Sequence, residues 1–111
     1  LGILYGENGM YTEAVEQFQK LLAVDRNNAL ALNNIGNIYL LQERLDDAVQ
    51  SYEAALKVDP NDVGTMANLA RALFKTGKKE EAKKRFQEAA SRDPRVLRQY
   101  GDLAADLGVT K

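Results

Sequence analysis

Asn34 and Asn68, 34 residues apart, carry side-chain amides. Each amide offers N–H donors and a carbonyl acceptor together, the set needed to pair edge to edge with a peptide bond. Cations able to take a carboxylate stand at Arg71, Lys75 and Arg98, and a guanidinium does so with two parallel bonds. Adjacent carboxylates at Asp46-Asp47 and Glu80-Glu81 could serve as a general acid and base. Their position just ahead of helical apolar patterns reads better as caps and first turns, where negative charge suits the helix dipole. With no Cys and no His in the chain, disulfides, thiolate or imidazole metal sites, and Ser-His-Asp or Cys-His nucleophiles are all excluded. These residues point to binding rather than catalysis, with no cofactor and no metal.

The run from Lys75 to Arg85 is the best candidate for nucleic acid. Glu80 and Glu81 are mixed into it and it has no aromatic residue to stack on bases, so it reads as a solvated face. Residues 1–56 hold 3 Lys/Arg against 8 Asp/Glu, net −5, and residues 57–111 hold 12 against 8, net +4. The molecule is therefore polar, with an acidic and a basic end. No apolar run approaches the 18 or so residues that span a bilayer, so membrane insertion is not expected. The start, Leu1-Gly2-Ile3-Leu4-Tyr5, has neither a Met nor a basic leader region, and the chain reads as a piece of something longer. The compartment stays open, with the cytoplasm favoured.

The elements that must position these residues show as a repeat. Displacing the sequence by 34 residues brings Gly36, Tyr39, Ala48, Tyr52, Ala55, Asp59 and Pro60 onto Ala70, Leu73, Ala82, Phe86, Ala89, Asp93 and Pro94. The opposite displacement reaches Gly2, Tyr5, Ala14, Phe18, Leu21, Asp25 and Arg26. Apolar residues recur with helical spacing inside each block. Gly9, Glu43 and Gly77 mark one break per block, where a helix C-cap is expected. Asp59-Pro60 and Asp93-Pro94 mark the other, because proline cannot continue a helix. The spacing predicts helices near 1–8, 12–25, 29–42, 46–58, 63–76, 80–92 and 97–107, with Thr12, Asn28, Asp46 and Asp62 as N-caps.

These residues resemble the tetratricopeptide repeat, a 34-residue helix-turn-helix unit. Leu32, Ile35-Gly36, Tyr39, Ala48, Tyr52, Ala55 and Pro60 match it in one unit. Met66, Leu69-Ala70, Leu73, Ala82, Phe86, Ala89 and Pro94 match it in the next. The resemblance implies an all-α fold, a right-handed superhelix (α-solenoid) of about seven helices in antiparallel hairpins. Its parts would be a shortened first unit over 1–28, full units over 29–62 and 63–96, and a capping helix over 97–111. Arg26 stands where Pro is usual, so the first closing turn should be looser. The cap should place Tyr100, Leu103, Ala104 and Leu107 inward and Arg98, Gln99, Asp102 and Asp106 outward.

The resemblance also implies a concave groove lined by the first helix of each unit. Its side chains would include Asn33, Asn34, Asn37 and Leu40, then Asn68, Arg71, Phe74 and Lys75, and Arg98 from the cap. The expected function is a protein-interaction scaffold holding an extended peptide or protein segment, an acidic one suiting its cations. Asn34 and Asn68 would follow the backbone, and Leu40 and Phe74 would give apolar anchors. The carboxylate clamp that related domains use for heat-shock tails is only partly met, since Asn33 stands for a Lys and Asp102 for an Arg. The alternative is self-assembly, with Leu1, Ile3 and Leu4 at the start of the array stacking on another copy or on upstream repeats.

Overall fold

The computed structural model describes residues 2–24 and 28–109, with side chains from Thr12 to Ala23 and from Asn28 to Val109. The described residues form α1 (Gly2–Val24), α2 (Ala29–Leu41), α3 (Leu45–Val58), α4 (Val63–Lys75), α5 (Lys79–Arg92), α6 (Val96–Gln99) and α7 (Gly101–Leu107), with no strand among them. Each helix packs on the next from α1 to α5, and α2 also reaches α4. The cap, α6 with α7, lies against α5 and α4.

The turns inside the units form for a local reason. Glu43 (φ 62°) and Gly77 (φ 89°) adopt the left-handed conformation. The N–H of the following residue then bonds back to Tyr39 O at 2.8 Å in one unit and to Leu73 O at 2.9 Å in the other. This Schellman closure satisfies carbonyls that the helix end leaves over. Arg44 also sets its guanidinium 4.6 Å from the Tyr39 ring centre, covering the first turn. Between units, Asn28 and Asp62 cap α2 and α4 by accepting from the N–H groups of Ala31 (2.9 Å) and Thr65 (3.4 Å).

Tyr52 and Phe86 are fully buried at the centre of their hairpins. A Cβ built on Gly36 would lie 2.6 Å from Tyr52 Cε1, so the first helix can approach that ring only with no side chain there. Ala70 fills the same register beside Phe86 and is also fully buried.

Four local expectations need correction. The first block does not break at Gly9: α1 runs unbroken through it, and Thr12 lies inside the helix rather than at a cap. A glycine in a helix costs about 1 kcal/mol relative to alanine. Continuing through Gly9 keeps the backbone hydrogen bonds that a break would open, so continuation wins. The third helix begins at Leu45, making Arg44 its N-cap, and Asp46 and Asp47 fall in its first turn. The cap is not one helix over 97–107 but two pieces joined at Tyr100 (φ −118°, ψ 44°). Its C-terminus closes at Gly108 (φ 70°), so the helix ends at Leu107 as the spacing placed it. The expected loose turn at Arg26 lies outside the described residues, as do the side chains of Leu1, Ile3 and Leu4.

Two glycines should respond oppositely to alanine. Gly36→Ala should lower stability by about 1–3 kcal/mol through overpacking against Tyr52, despite alanine's better helix propensity. Gly101→Ala, where an added Cβ meets nothing within 4 Å, should leave stability equal or higher. Thermal unfolding followed by circular dichroism separates the two.

Candidate functional site

The first helices of neighbouring units are joined by polar side chains. Asn33 on α2 presents its Oδ1 to α4, where it accepts from Asn68 Nδ2 at 3.3 Å. The Thr65 hydroxyl lies between Asn33 Oδ1 (3.1 Å) and the Asp62 carboxylate (2.9 Å), and its single proton serves one of them at a time. Asn68 Oδ1 then accepts from the Tyr100 hydroxyl of the cap at 3.1 Å. A chain of hydrogen bonds thus runs from α2 through α4 to the break between α6 and α7. That break aims the phenol of Tyr100 at α4, where its ring also lies 5.1 Å from the Arg71 guanidinium.

A second polar contact ties the row to the hairpin interior. The buried Tyr52 hydroxyl donates to Asn37 Oδ1. Burial pushes the Tyr52 phenol well above its ordinary range, the Tyr100 hydroxyl adds to the shift and Arg71 opposes it. The group therefore remains a neutral donor at all ordinary pH values.

Among the residues expected to line a groove, Asn33, Asn37 and Asn68 thus spend carboxamide bonds on their own chain. Asn34 is half-buried, and its carboxamide has no intramolecular partner among the described residues. Leu40 and Phe74 are half-buried and packed against the core, which leaves little of them as anchors. The large apolar groups that reach solvent on α2 are Leu30 (70% exposed) and Leu41 (65% exposed). With Asn34 they occupy positions i, i+4 and i+11, one stripe of the helix. The same register on α4 carries Gly64, Asn68 and Lys75, with Lys75 exposed.

Arg98 is exposed and belongs to a different place, a cleft of about 700 Å³ on the outer side of the cap with Pro94, Leu97, Gly101, Ala104 and Val109. Arg95 beside it is held by Asp93 at 2.9 Å, and that hydrogen bond keeps the Asp93 carboxyl below the usual carboxylate range. Arg98 has no ionic partner among the described residues.

Tyr100 and Thr65 were not singled out as members of a polar row. Their signal is a hydroxyl residue 32 positions after an asparagine, which occurs at both Asn33–Thr65 and Asn68–Tyr100. The paired carboxylates are first-turn groups: Asp47 pairs with Arg44 at 2.8 Å, and Glu80 and Glu81 are exposed. Among the described residues, no group of three His, Cys, Asp or Glu side chains gathers to hold a metal ion, and no helix is long and apolar enough to cross a membrane.

Paired helices with a 34-residue register, small residues under aromatic rings and helix breaks at matching positions agree with two family models described as tetratricopeptide repeat, which match residues 1–63 and 39–107. The chain belongs to the tetratricopeptide repeat family. No curated protein matches it. Among solved structures, one crystal structure of MamA is 23% identical with a TM-score of 0.78, covering 92% of this chain and 61% of that one. Another crystal structure of MamA is 22% identical with a TM-score of 0.71, covering 79% and 48%. The first tetratricopeptide repeat domain of Spaghetti (RPAP3), solved with the HSP90 peptide SRMEEVD, is 21% identical with a TM-score of 0.78, covering 96% and 87%. The present chain thus spans about half to three-fifths of the MamA structures. These likenesses establish the tetratricopeptide helical-repeat fold.

The polar row predicts an uneven response to alanine. Asn68→Ala, which strips bonds to both neighbouring units, should cost about 1–3 kcal/mol. Asn34→Ala should change stability by less than about 0.5 kcal/mol. Urea unfolding of both variants checks this, and equal midpoints would remove the row from the list of stabilising contacts.

Proposed function

We propose that the chain holds an extended peptide along the row of first helices. The observation that supports this most is the stripe on α2, where exposed Leu30 and Leu41 share a face with half-buried Asn34, whose amide has no partner among the described residues, while Asn33 and Asn68 are tied up within the chain. Asn34 pairs with the peptide backbone, whose N–H and C=O match the two ends of its amide. Leu30 and Leu41 take apolar side chains. Arg71 and Lys75, further along the row, take carboxylates. The preferred ligand is therefore apolar over α2 and acidic toward the cap. The RPAP3 domain shows that this fold can carry an acidic peptide. The peptide itself is not transferred to this chain, because Asn33 and Asp102 stand where its clamp would need cations.

The earlier pairing of Asn34 with Asn68 as equal ligand groups gives way here to unequal roles. Asn34 is the ligand-facing amide, and Asn68 is mainly a link between units with one N–H left over.

A second reading, self-association, is supported by α1. Leu21 is 44% exposed, whereas Ala55 and Ala89 at the same register are 1% and 0% exposed.

Selection from a displayed random-peptide library, followed by polarisation titration of a labelled selected peptide, tests the peptide reading. Peptides combining apolar and acidic residues should emerge. Asn34→Ala should weaken the selected peptide by about tenfold, equivalent to 1.4 kcal/mol, with unfolding unchanged, and Lys75→Glu should weaken acidic peptides selectively. Undiminished binding by both variants would overturn the reading.

A further inference from the structure

Most arginines of this chain spend their guanidinium within it. Arg44 pairs with Asp47 at 2.8 Å, Arg85 with Glu88 at 3.7 Å and Arg95 with Asp93 at 2.9 Å, and Arg92 donates to Asn61. Arg71 differs from these. It is half-buried on α4, 5.1 Å from the Tyr100 ring centre, and has no ionic partner among the described residues. Taking a charge partly out of water is costly unless a counter-charge replaces the water, and here none does.

The surroundings of Arg71 form one polar spot on the row of first helices. Helix α2 carries no charged residue, and the only charges on α4 are Arg71 and Lys75. Lys75 is exposed and likewise unpaired. Asn68, Arg71 and Lys75 stand at i, i+3 and i+7, so they share a stripe of the helix. Asn68 gives one N–H to Asn33 and keeps the other. Tyr100 steadies two members at once: its hydroxyl donates to Asn68 Oδ1 at 3.1 Å and its ring backs Arg71. Both Tyr100 and Arg71 also act on the buried Tyr52 hydroxyl, which brings groups from three elements around the same point. The cap acids Asp102 and Asp106 are exposed, and neither forms an ion pair with Arg71 or Lys75.

This donor set asks for more than a carboxylate. Two unpaired cations and a neutral N–H face a ligand, whereas a carboxylate brings one negative charge. A phosphorylated Ser, Thr or Tyr brings about −1.5 to −2 and three acceptor oxygens. A guanidinium takes two of those oxygens side by side, leaving the third for Lys75 or Asn68. Nucleic acid fits less well, because it repeats a phosphate at every nucleotide while the adjoining α2 is uncharged and shows Leu30 and Leu41 to solvent. The ligand suited to both helices has a single phosphate and an apolar remainder.

We propose that Arg71, Lys75 and the free N–H of Asn68 form a phosphoryl site, backed by the Tyr100 ring, and that the peptide held along the first helices is a phosphorylated one. The inference rests on the peptide reading above and specifies the anion. Neighbouring helix axes lie about 8–10 Å apart and an extended chain advances about 3.3 Å per residue, so the phosphorylated residue falls about three residues from the one paired with Asn34. Arg71 is the contact group. Tyr100 is a positioning residue that acts through Arg71 and Asn68.

Two measurements on the 111-residue chain test this. In the first, the isotope-labelled protein is titrated with inorganic phosphate and, at equal ionic strength, with acetate. Phosphate should shift the Arg71 Nε–H and Asn68 side-chain N–H resonances, and acetate should shift them far less. In the second, the library-selected peptide is made with serine, aspartate and phosphoserine at its acidic position. The phosphoserine form should bind about tenfold more tightly than the aspartate form. Arg71→Gln should abolish that advantage while the serine form binds as before and the circular dichroism melt is unchanged. Lys75→Gln, on an exposed side chain, should reduce it. Tyr100→Leu should reduce it too, and Tyr100→Phe, which keeps the ring, should restore most of it.

Equal affinity for the aspartate and phosphoserine forms, both weakened by Asn34→Ala, would overturn the phosphoryl site and leave the peptide reading standing. Phosphate shifts centred on Lys78, Lys83 and Lys84 of the α5 side instead of on α4 would overturn it as well. An oligothymidylate that binds as tightly as the phosphoserine peptide would overturn the choice of a peptide ligand. Should no peptide bind while phosphate still shifts Arg71 and Asn68, the peptide reading falls and takes the phosphopeptide with it.

Discussion

The close approach of two helices in each hairpin is the constraint on which the remainder of the molecule depends. At Gly36 the approach is so tight that a single added carbon would enter the Tyr52 ring. Tyr52 and Phe86 bury large apolar surfaces against such small residues, worth about 1.5–3 kcal/mol each relative to exposure. Because aromatic and small residues meet at a fixed register, the hairpins share one geometry and pile up with a constant step. That step sets which faces of the first helices end side by side.

Side-by-side first helices then create a problem of polarity, and the polar row answers it. Asn33, Asn68 and Tyr100 sit where successive first helices touch, half-buried, with donors and acceptors that must be satisfied. They satisfy one another at 3.3 and 3.1 Å. The consequence for function is a division of labour among amides of similar sequence appearance. Those at the seam hold the units in register, and the one displaced from it by a single residue, Asn34, retains its full bonding capacity. Two amides can therefore be neighbours in sequence, one bonded across the seam and one without a partner in its own chain, and differ in which way the helix turns them.

The 34-residue register, the all-α class, the breaks at positions 43 and 77, the caps at Asn28 and Asp62 and the burial of Tyr52, Phe86 and their flanking alanines were legible in the residues themselves. Each rests on local chemistry: glycine or a tolerant residue at positive φ, an Asx side chain over a free N–H, apolar spacing at helical period. The tertiary structure alone decided that α1 continues through Gly9, that the cap breaks at Tyr100, and that Asn33, Asn37 and Asn68 bond within the chain while Leu30 and Leu41 stand exposed. These outcomes depend on what lies across from a residue, on another helix about one repeat away. Local spacing says which stripe of a helix a side chain occupies, but only packing says whether that stripe meets a ring, an amide or water.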